Sequence, residues 1–364
     1  MSTLFDPLRV GALQLPHRVV MAPLTRNRAP RGIPSALMAE YYAQRADPER
    51  GAALLITEAS PIAPLAHGYL DTPGIHDDAQ VAAWRRVTDA VHARGGLIAI
   101  QLWHVGRISH TSLLPPGEQP VAPSAITAAS KTFTRDGFVD CSSPRALRAD
   151  EIPGVVAQYR RAAERAREAG FDAVEVHAAN GYLIDQFLRD STNRRDDDWG
   201  GPVADRCRLL AEVMRPVAGA IGAGRTGGRL SPVSPVNDAA LDSDPQALYA
   251  HAMRELAPLS LAWVHVVEGT TGGPRELAGF DFAAMRAPLA GRGTAWMVNN
   301  GYTRPMAMQA VADGAADLVA FGRPFIANPD LTHRLRHDLP LADADRRTFY
   351  GGGAAGYTDY PALA

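Results

Sequence analysis

Asp78 to Leu102 reads DAQVAAWRRVTDAVHARGGLIAIQL. Val81, Trp84, Val87, Ala90 and Val91 recur at helical spacing across Asp78 to Arg94. Gly95-Gly96 is a helix-ending signal, and the apolar run Leu97 to Leu102 follows at once as a strand. The same helix, cap and strand order recurs as Glu151 to Ala169, Gly170, Phe171 to Val176, and again as Thr303 to Asp313, Gly314, Ala315 to Val319. Working outward gives eight candidate strands: Val19 to Met21, Ala53 to Glu58, Leu97 to Leu102, Ala173 to His177, Gly228 to Ser231, Ala262 to Val267, Thr294 to Val298 and Leu318 to Phe321.

Strands separated by helices pair in parallel, because the crossover helix returns the chain to begin the next strand in the same direction. Eight such units predict an α/β fold, a (β/α)8 TIM barrel, with the whole of residues 1–364 in one domain. A doubly wound open sheet is the competing arrangement. It loses ground because the first strand-to-helix turn has no phosphate-binding glycine fingerprint and no second domain boundary is visible. Leu8 to Leu15 reads as a hairpin turning at Gly11 and plugging the barrel's N-terminal face. Leu102 to Asp150, rich in Pro, Ser and Thr, is a long insertion after the third strand, placed to overhang the active-site face as a lid or pocket wall.

The 364 residues are 46% hydrophobic and 21% charged, with formal net charge −2, a soluble globular composition without a basic block. Nucleic acid is disfavoured as a partner, since phosphate binding needs concentrated positive charge. No run reaches the roughly 18 apolar residues of a membrane span, and Met1 to Val10 carries no signal-peptide pattern. With only Cys141 and Cys207, too few for a disulfide framework, the expected home is the cytoplasm and the expected state a monomer or weak homo-oligomer.

Three motifs are set aside. Gly222 to Gly227 matches G-x-G-x-x-G, but a helix precedes it and a strand follows, the reverse of a dinucleotide site. His333 and His337 have metal-ligand spacing without an accompanying Glu, and a solvated helix face accounts for them, so no metal is expected. The acidic run Asp196-Asp197-Asp198-Trp199 reads as a solvated loop.

The strongest chemical signal is Val174-Glu175-Val176-His177-Ala178-Ala179-Asn180-Gly181-Tyr182. Alternation puts Glu175 and His177 on one face, and in a barrel that face is inward. His177 then ends a strand, with Asn180 and Tyr182 in the loop where barrel enzymes keep catalytic groups. His and Asn suit an oxygen that gains negative charge, and Tyr can give a proton. A satisfied core histidine beside an incidental tyrosine is the plainer alternative. Other strand ends are polar too: Thr25-Arg26, Glu58, Gln101 with Trp103, and Arg229. Asn299-Asn300-Gly301 and Gly322-Arg323-Pro324 follow the last two strands, where barrels commonly hold a phosphate.

In sum the chain resembles the old yellow enzyme family. The resemblance runs through Met21-Ala22-Pro23-Leu24-Thr25-Arg26, Gln101-Leu102-Trp103-His104, Glu175 to Tyr182, Arg229-Leu230-Ser231-Pro232, Phe321-Gly322-Arg323-Pro324 and Thr348-Phe349-Tyr350-Gly351-Gly352-Gly353. It implies noncovalent FMN, with Pro23, Thr25, Ala59, Gln101 and Arg229 at the ring and Asn300, Gly301, Gly322 and Arg323 at the phosphate. The implied reaction is ping-pong: NADPH or NADH reduces the flavin, which passes hydride to the β-carbon of an enone, enal, maleimide or nitroalkene. His177 and Asn180 would hold the substrate oxygen and Tyr182 would protonate the α-carbon. Tyr69, Trp103, Asn237 and Tyr350 would line the substrate pocket. The departure to note is Asn180 where many relatives carry a second histidine. A nitrate-ester or nitroaromatic reductase on the same flavin, and a catalytically silent flavin-binding redox sensor, remain alternatives. A phosphate-binding aldolase or isomerase would want a strand-end lysine, and none is present.

Overall fold

In a computed structural model of the chain, describing residues 2–275 and 279–363, eight parallel strands close into a barrel. They are β1 (Val19–Met21), β2 (Leu54–Pro61), β3 (Ile98–Trp103), β4 (Ala173–His177), β5 (Thr226–Leu230), β6 (Trp263–Val267), β7 (Ala295–Asn299) and β8 (Leu318–Phe321). The ring is sealed where β8 pairs with β1, Ala320 opposite Val20, and where β3 pairs with β4, Gln101 opposite Glu175. The open sheet is thereby excluded.

The opening stretch folds as its pattern predicts. Asp77 caps the helix Asp78–His92 in a reciprocal box with Gln80, which satisfies two otherwise unpaired backbone N–H groups. Gly95, Gly170 and Gly314 adopt the left-handed φ of 79°, 88° and 72° that lets the chain leave each helix and start a strand.

Two strand boundaries differ from expectation by more than one residue. β2 runs past Glu58 to Pro61 because its pairing with β3 shifts register between Ile56 and Ala59, a bulge that period-2 reading takes for a strand end. β5 starts at Thr226, so Gly227 of the discarded fingerprint is a barrel residue. A Cβ there would lie 2.1 Å from Cε2 of Trp263, so the glycine makes room for an indole lying across the barrel.

The hairpin Leu8–Val10 with Leu13–Leu15 turns at Gly11, whose φ is 55°. Its Val10, Leu13 and Leu15 join Val20, Leu54, Ile56, Trp263, Met297 and Leu318 in one buried interior cluster. The Ala12 N–H donates to the Gly224 carbonyl (2.8 Å), so the hairpin is the barrel's N-terminal floor. Each such aliphatic side chain taken from water stabilises the fold by about 1.5–3 kcal/mol.

The insertion after β3 forms an antiparallel hairpin, Lys131–Thr134 with Gly137–Asp140. The Phe133 carbonyl accepts the Leu70 N–H (2.8 Å), which seats the hairpin over the loop bearing Tyr69. Its base is held by Arg195, which donates to the Pro123 (2.9 Å) and Leu147 (2.6 Å) carbonyls. Asp197 accepts from Arg195 Nε (2.9 Å), so one member of the acidic run orients a structural arginine rather than merely facing water. His333 and His337 do lie together on one short helix, Leu331–His337.

Candidate active site

At the C-terminal ends of the strands, β4 supplies the centre. Glu175 and His177 point into the barrel as alternation predicts: Glu175 accepts hydrogen bonds from Gln101 Nε2 (2.8 Å), Trp263 Nε1 (2.8 Å) and His265 Nδ1 (2.9 Å). Arg229 stands opposite His177 in the β4–β5 register and is 7% exposed. One of its amino groups donates to Asn299 Oδ1 (2.9 Å), while its buried Nε has no partner among the described residues. Ala59 and Gln101 sit opposite one another on β2 and β3, both buried, and Pro23 and Thr25 follow β1, half-buried.

The oxygen-binding pair can be assigned donor by donor. His177 Nδ1 accepts the Ala179 N–H (3.3 Å), which places the ring proton on Nε2. Burial, and then the Arg229 charge, push the imidazole pKa down to about 3, so it is a neutral donor at any working pH. Asn180, at φ 59°, is held through its N–H to Ser231 Oγ (2.7 Å). Its Oδ1 accepts from the Thr271 hydroxyl (2.7 Å), leaving the amide NH2 as the free end. Two neutral N–H donors therefore serve one short segment, a suitable pair for a carbonyl or nitro oxygen.

Tyr182 follows at the start of the helix Leu183–Leu188. Its ring meets His177 edge-on at 5.1 Å and Trp103 at 4.9 Å. Its hydroxyl lies 3.1 Å from that of Tyr69, whose ring stacks on Trp103. Burial raises the Tyr182 phenol, and the Tyr69 hydrogen bond pulls it part of the way back. Thr25, Asn27, Tyr69, Phe133, Phe138, Tyr182 and Tyr350 surround a cavity of about 190 Å³, so the insertion does form a pocket wall. Tyr350 reaches the rim because Arg26 and Arg28 bind the Thr348, Phe349, Gly353 and Gly356 carbonyls of the C-terminal segment. Asn237 donates to the Asn180 carbonyl (2.9 Å), buttressing the loop that carries Asn180; neither it nor Trp103 is among the residues lining the cavity.

After β7 and β8 the chain offers backbone donors. The N–H groups of Asn300, Gly301 and Gly322 find no acceptor among the described residues, and Arg323 is exposed without an ion-pair partner among them. The Asn300 side chain is occupied elsewhere: its Nδ2 donates to the Glu268 (2.6 Å) and Thr270 (3.0 Å) carbonyls. Only its backbone can serve a phosphate. Free amides, an exposed guanidinium and, deeper, a buried guanidinium with an unpartnered Nε form a donor set that fits a flavin mononucleotide.

Several supporting residues escaped sequence reading. Asp185, fully buried, accepts from the Gly181 N–H (2.8 Å), the Tyr249 hydroxyl (3.0 Å) and Arg189 (2.9 Å), fixing the loop between Asn180 and Tyr182. Its i, i+4 spacing to Arg189 was the available signal. His265 and Trp263 share an inward face by alternation, but nothing local marks Glu175 as their partner. Thr271 and Ser234, which bond to each other (2.9 Å), come from loops distant in sequence.

Comparison with known proteins agrees with this geometry. Residues 3–342 match the profile of the NADH:flavin oxidoreductase / NADH oxidase family. The chain is 45% identical, over 99% of its length and 93% of the relative's, to 12-oxophytodienoate reductase 1 of Oryza sativa subsp. japonica. It is 44% identical to a chanoclavine-I aldehyde reductase of Penicillium roqueforti, covering 99% of this chain and 96% of that one. Among solved structures, morphinone reductase in complex with tetrahydroNAD superposes with a TM-score of 0.93 at 47% identity, over 100% of this chain and 98% of the other. The old yellow enzyme homologue from Zymomonas mobilis gives 0.92 at 44%, with full coverage of both. With the barrel, the strand-end donors and these matches in agreement, the chain belongs to the NADH:flavin oxidoreductase / NADH oxidase family, that of old yellow enzyme, and is an NAD(P)H-dependent flavin oxidoreductase.

Proposed function

We propose that the protein is an FMN-dependent ene-reductase acting on activated alkenes: enones, enals, maleimides and nitroalkenes. The observation that carries this reading is the neutral donor pair, His177 Nε2–H and the Asn180 amide, beside the paired phenols of Tyr182 and Tyr69. When bound, FMN supplies the hydride relay from NADPH or NADH to the β-carbon of the alkene. Pro23, Thr25, Ala59, Gln101 and Arg229 would hold its ring, with Asn300, Gly301, Gly322 and Arg323 at its phosphate. The pair polarises the substrate oxygen, making the β-carbon electrophilic and the α-carbon basic once attacked. Tyr182 then gives its phenolic proton to the α-carbon, and the hydroxyl of Tyr69, 3.1 Å away, donates to the phenolate left behind. Tyr69, Trp103, Asn237 and Tyr350 shape what enters. The relatives named 12-oxophytodienoate reductase and chanoclavine-I aldehyde reductase support the substrate class.

The test is anaerobic: purified protein, one equivalent of NADPH or NADH, then 2-cyclohexenone, with flavin absorbance followed throughout. Bleaching followed by recovery is expected. Bleaching without recovery would overturn the alkene assignment and bring nitro compounds forward, and absence of a flavin band would overturn the cofactor assignment.

The donor pair has its own check. A phenol bound against oxidised flavin should give a long-wavelength charge-transfer band. His177→Ala with Asn180→Ala should weaken phenol binding by about 100-fold or more, at roughly 1.5 kcal/mol for each lost bond to a charged oxygen. Undiminished binding would place the oxygen elsewhere.

A further inference from the structure

Glu175 is a carboxylate with 0% exposure in the middle of the barrel, where a hydrocarbon would fill the space without a desolvation penalty of several kcal/mol. Three donors, from β3 and β6, converge on it: Gln101 Nε2 and Trp263 Nε1 at 2.8 Å, and His265 Nδ1 at 2.9 Å. With those donors and the nearby guanidinium of Arg229 opposing burial, it stays ionised. His265 is pushed toward the neutral form by its own burial and donates without adding charge.

Two consequences reach the strand ends. Because Gln101 gives Nε2 to Glu175, its amide has one orientation, with Oε1 left to accept from whatever lies above. Among the described residues Arg229 is buried with one hydrogen bond, to Asn299, and an unpartnered Nε, and Glu175 is the buried carboxylate whose charge offsets it.

We propose that Glu175 is a positioning residue that sets the electron affinity of the flavin site, by holding the Gln101 amide in one orientation and by offsetting the positive charge of Arg229. This rests on the reading above that Gln101 and Arg229 face the FMN ring. Reduction adds negative charge to the ring, and a fixed carboxylate below it opposes that charge. Removing the carboxylate charge therefore favours the reduced form.

The test is the reduction potential of the FMN-bound protein, measured by equilibration with a reference dye, together with the FMN dissociation constant. Glu175→Gln should favour reduced over oxidised FMN about tenfold, a positive shift of ~30 mV for a two-electron couple. Trp263→Phe removes one hydrogen bond and no charge, so its potential should match wild type. Glu175→Asp keeps the charge but falls short of Gln101, so FMN affinity should drop about tenfold at a nearly unchanged potential. An E175Q potential equal to wild type overturns the proposal. If that variant does not fold, an E175D affinity equal to wild type overturns it. A wild-type chain that takes up no FMN overturns the reading beneath, and this is seen before any variant is made.

Discussion

Tyr182→Phe is expected to slow reoxidation of the flavin by 2-cyclohexenone by about 10²–10⁴-fold, the usual contribution of a positioned acid, while leaving flavin reduction by NADPH or NADH within a few-fold of wild type. The asymmetry follows from what the phenol touches. The hydroxyl meets that of Tyr69 at 3.1 Å and makes no hydrogen bond to Glu175, Arg229 or Gln101. Phenylalanine keeps the edge-on packing against Trp103 and His177, so the pocket should hold its shape while losing its proton. Stopped-flow traces of the two half-reactions decide the matter. Equal slowing of both would remove Tyr182 from the role of acid. Tyr69→Phe should give a smaller version of the same pattern, because it removes only the donor that stabilises the phenolate.

Asp185→Ala is expected to destabilise the protein by about 3–5 kcal/mol. Arg189, 1% exposed, would keep hydrogen bonds to the Ala239 and Ser231 carbonyls but lose its counter-charge, and the Gly181 N–H and Tyr249 hydroxyl would lose their acceptor. Denaturant unfolding of wild type and variant measures the difference. A charge-free double variant gives a control: Asp185→Ala with Arg189→Met removes both charges and should recover a good part of the loss. A single variant with wild-type stability would mean that the pair contributes nothing net. Since Gly181 lies between Asn180 and Tyr182, the single variant should also weaken phenol binding while folded.

The barrel was legible because its strands are short and apolar, and because β3, β4 and β8 each follow a helix closed by a glycine, all of them local signals. Boundaries slipped at Ala59 and at Gly227, where the reason for the backbone is a partner elsewhere: a register shift against β3 and the indole of Trp263. The site divides the same way. His177, Asn180 and Tyr182 lie in one continuous segment, and their types state their chemistry. The groups that decide amide orientation, loop position and charge, Thr271, Ser231, Asp185 and His265, come from other loops and strands or from later in the same helix, and only folding brings them near. Asn300 carries a further use: its side-chain amide ties down the Glu268 to Thr270 loop, which its sequence neighbours do not announce.

The indole of Trp263 over Gly227, with the N-terminal hairpin sealed beneath, gives the barrel a solid floor. The N-terminal side is thus closed, and the cavity beside Tyr182 lies on the opposite face, lined by Tyr69, Phe133, Phe138 and Tyr350. In the reaction proposed above, the nicotinamide and the alkene occupy this same site in turn, so each is expected to inhibit competitively against the other, and steady-state rates should fall at a large excess of either. In use as a catalyst, the ratio of the two feeds would govern throughput more than the concentration of either alone.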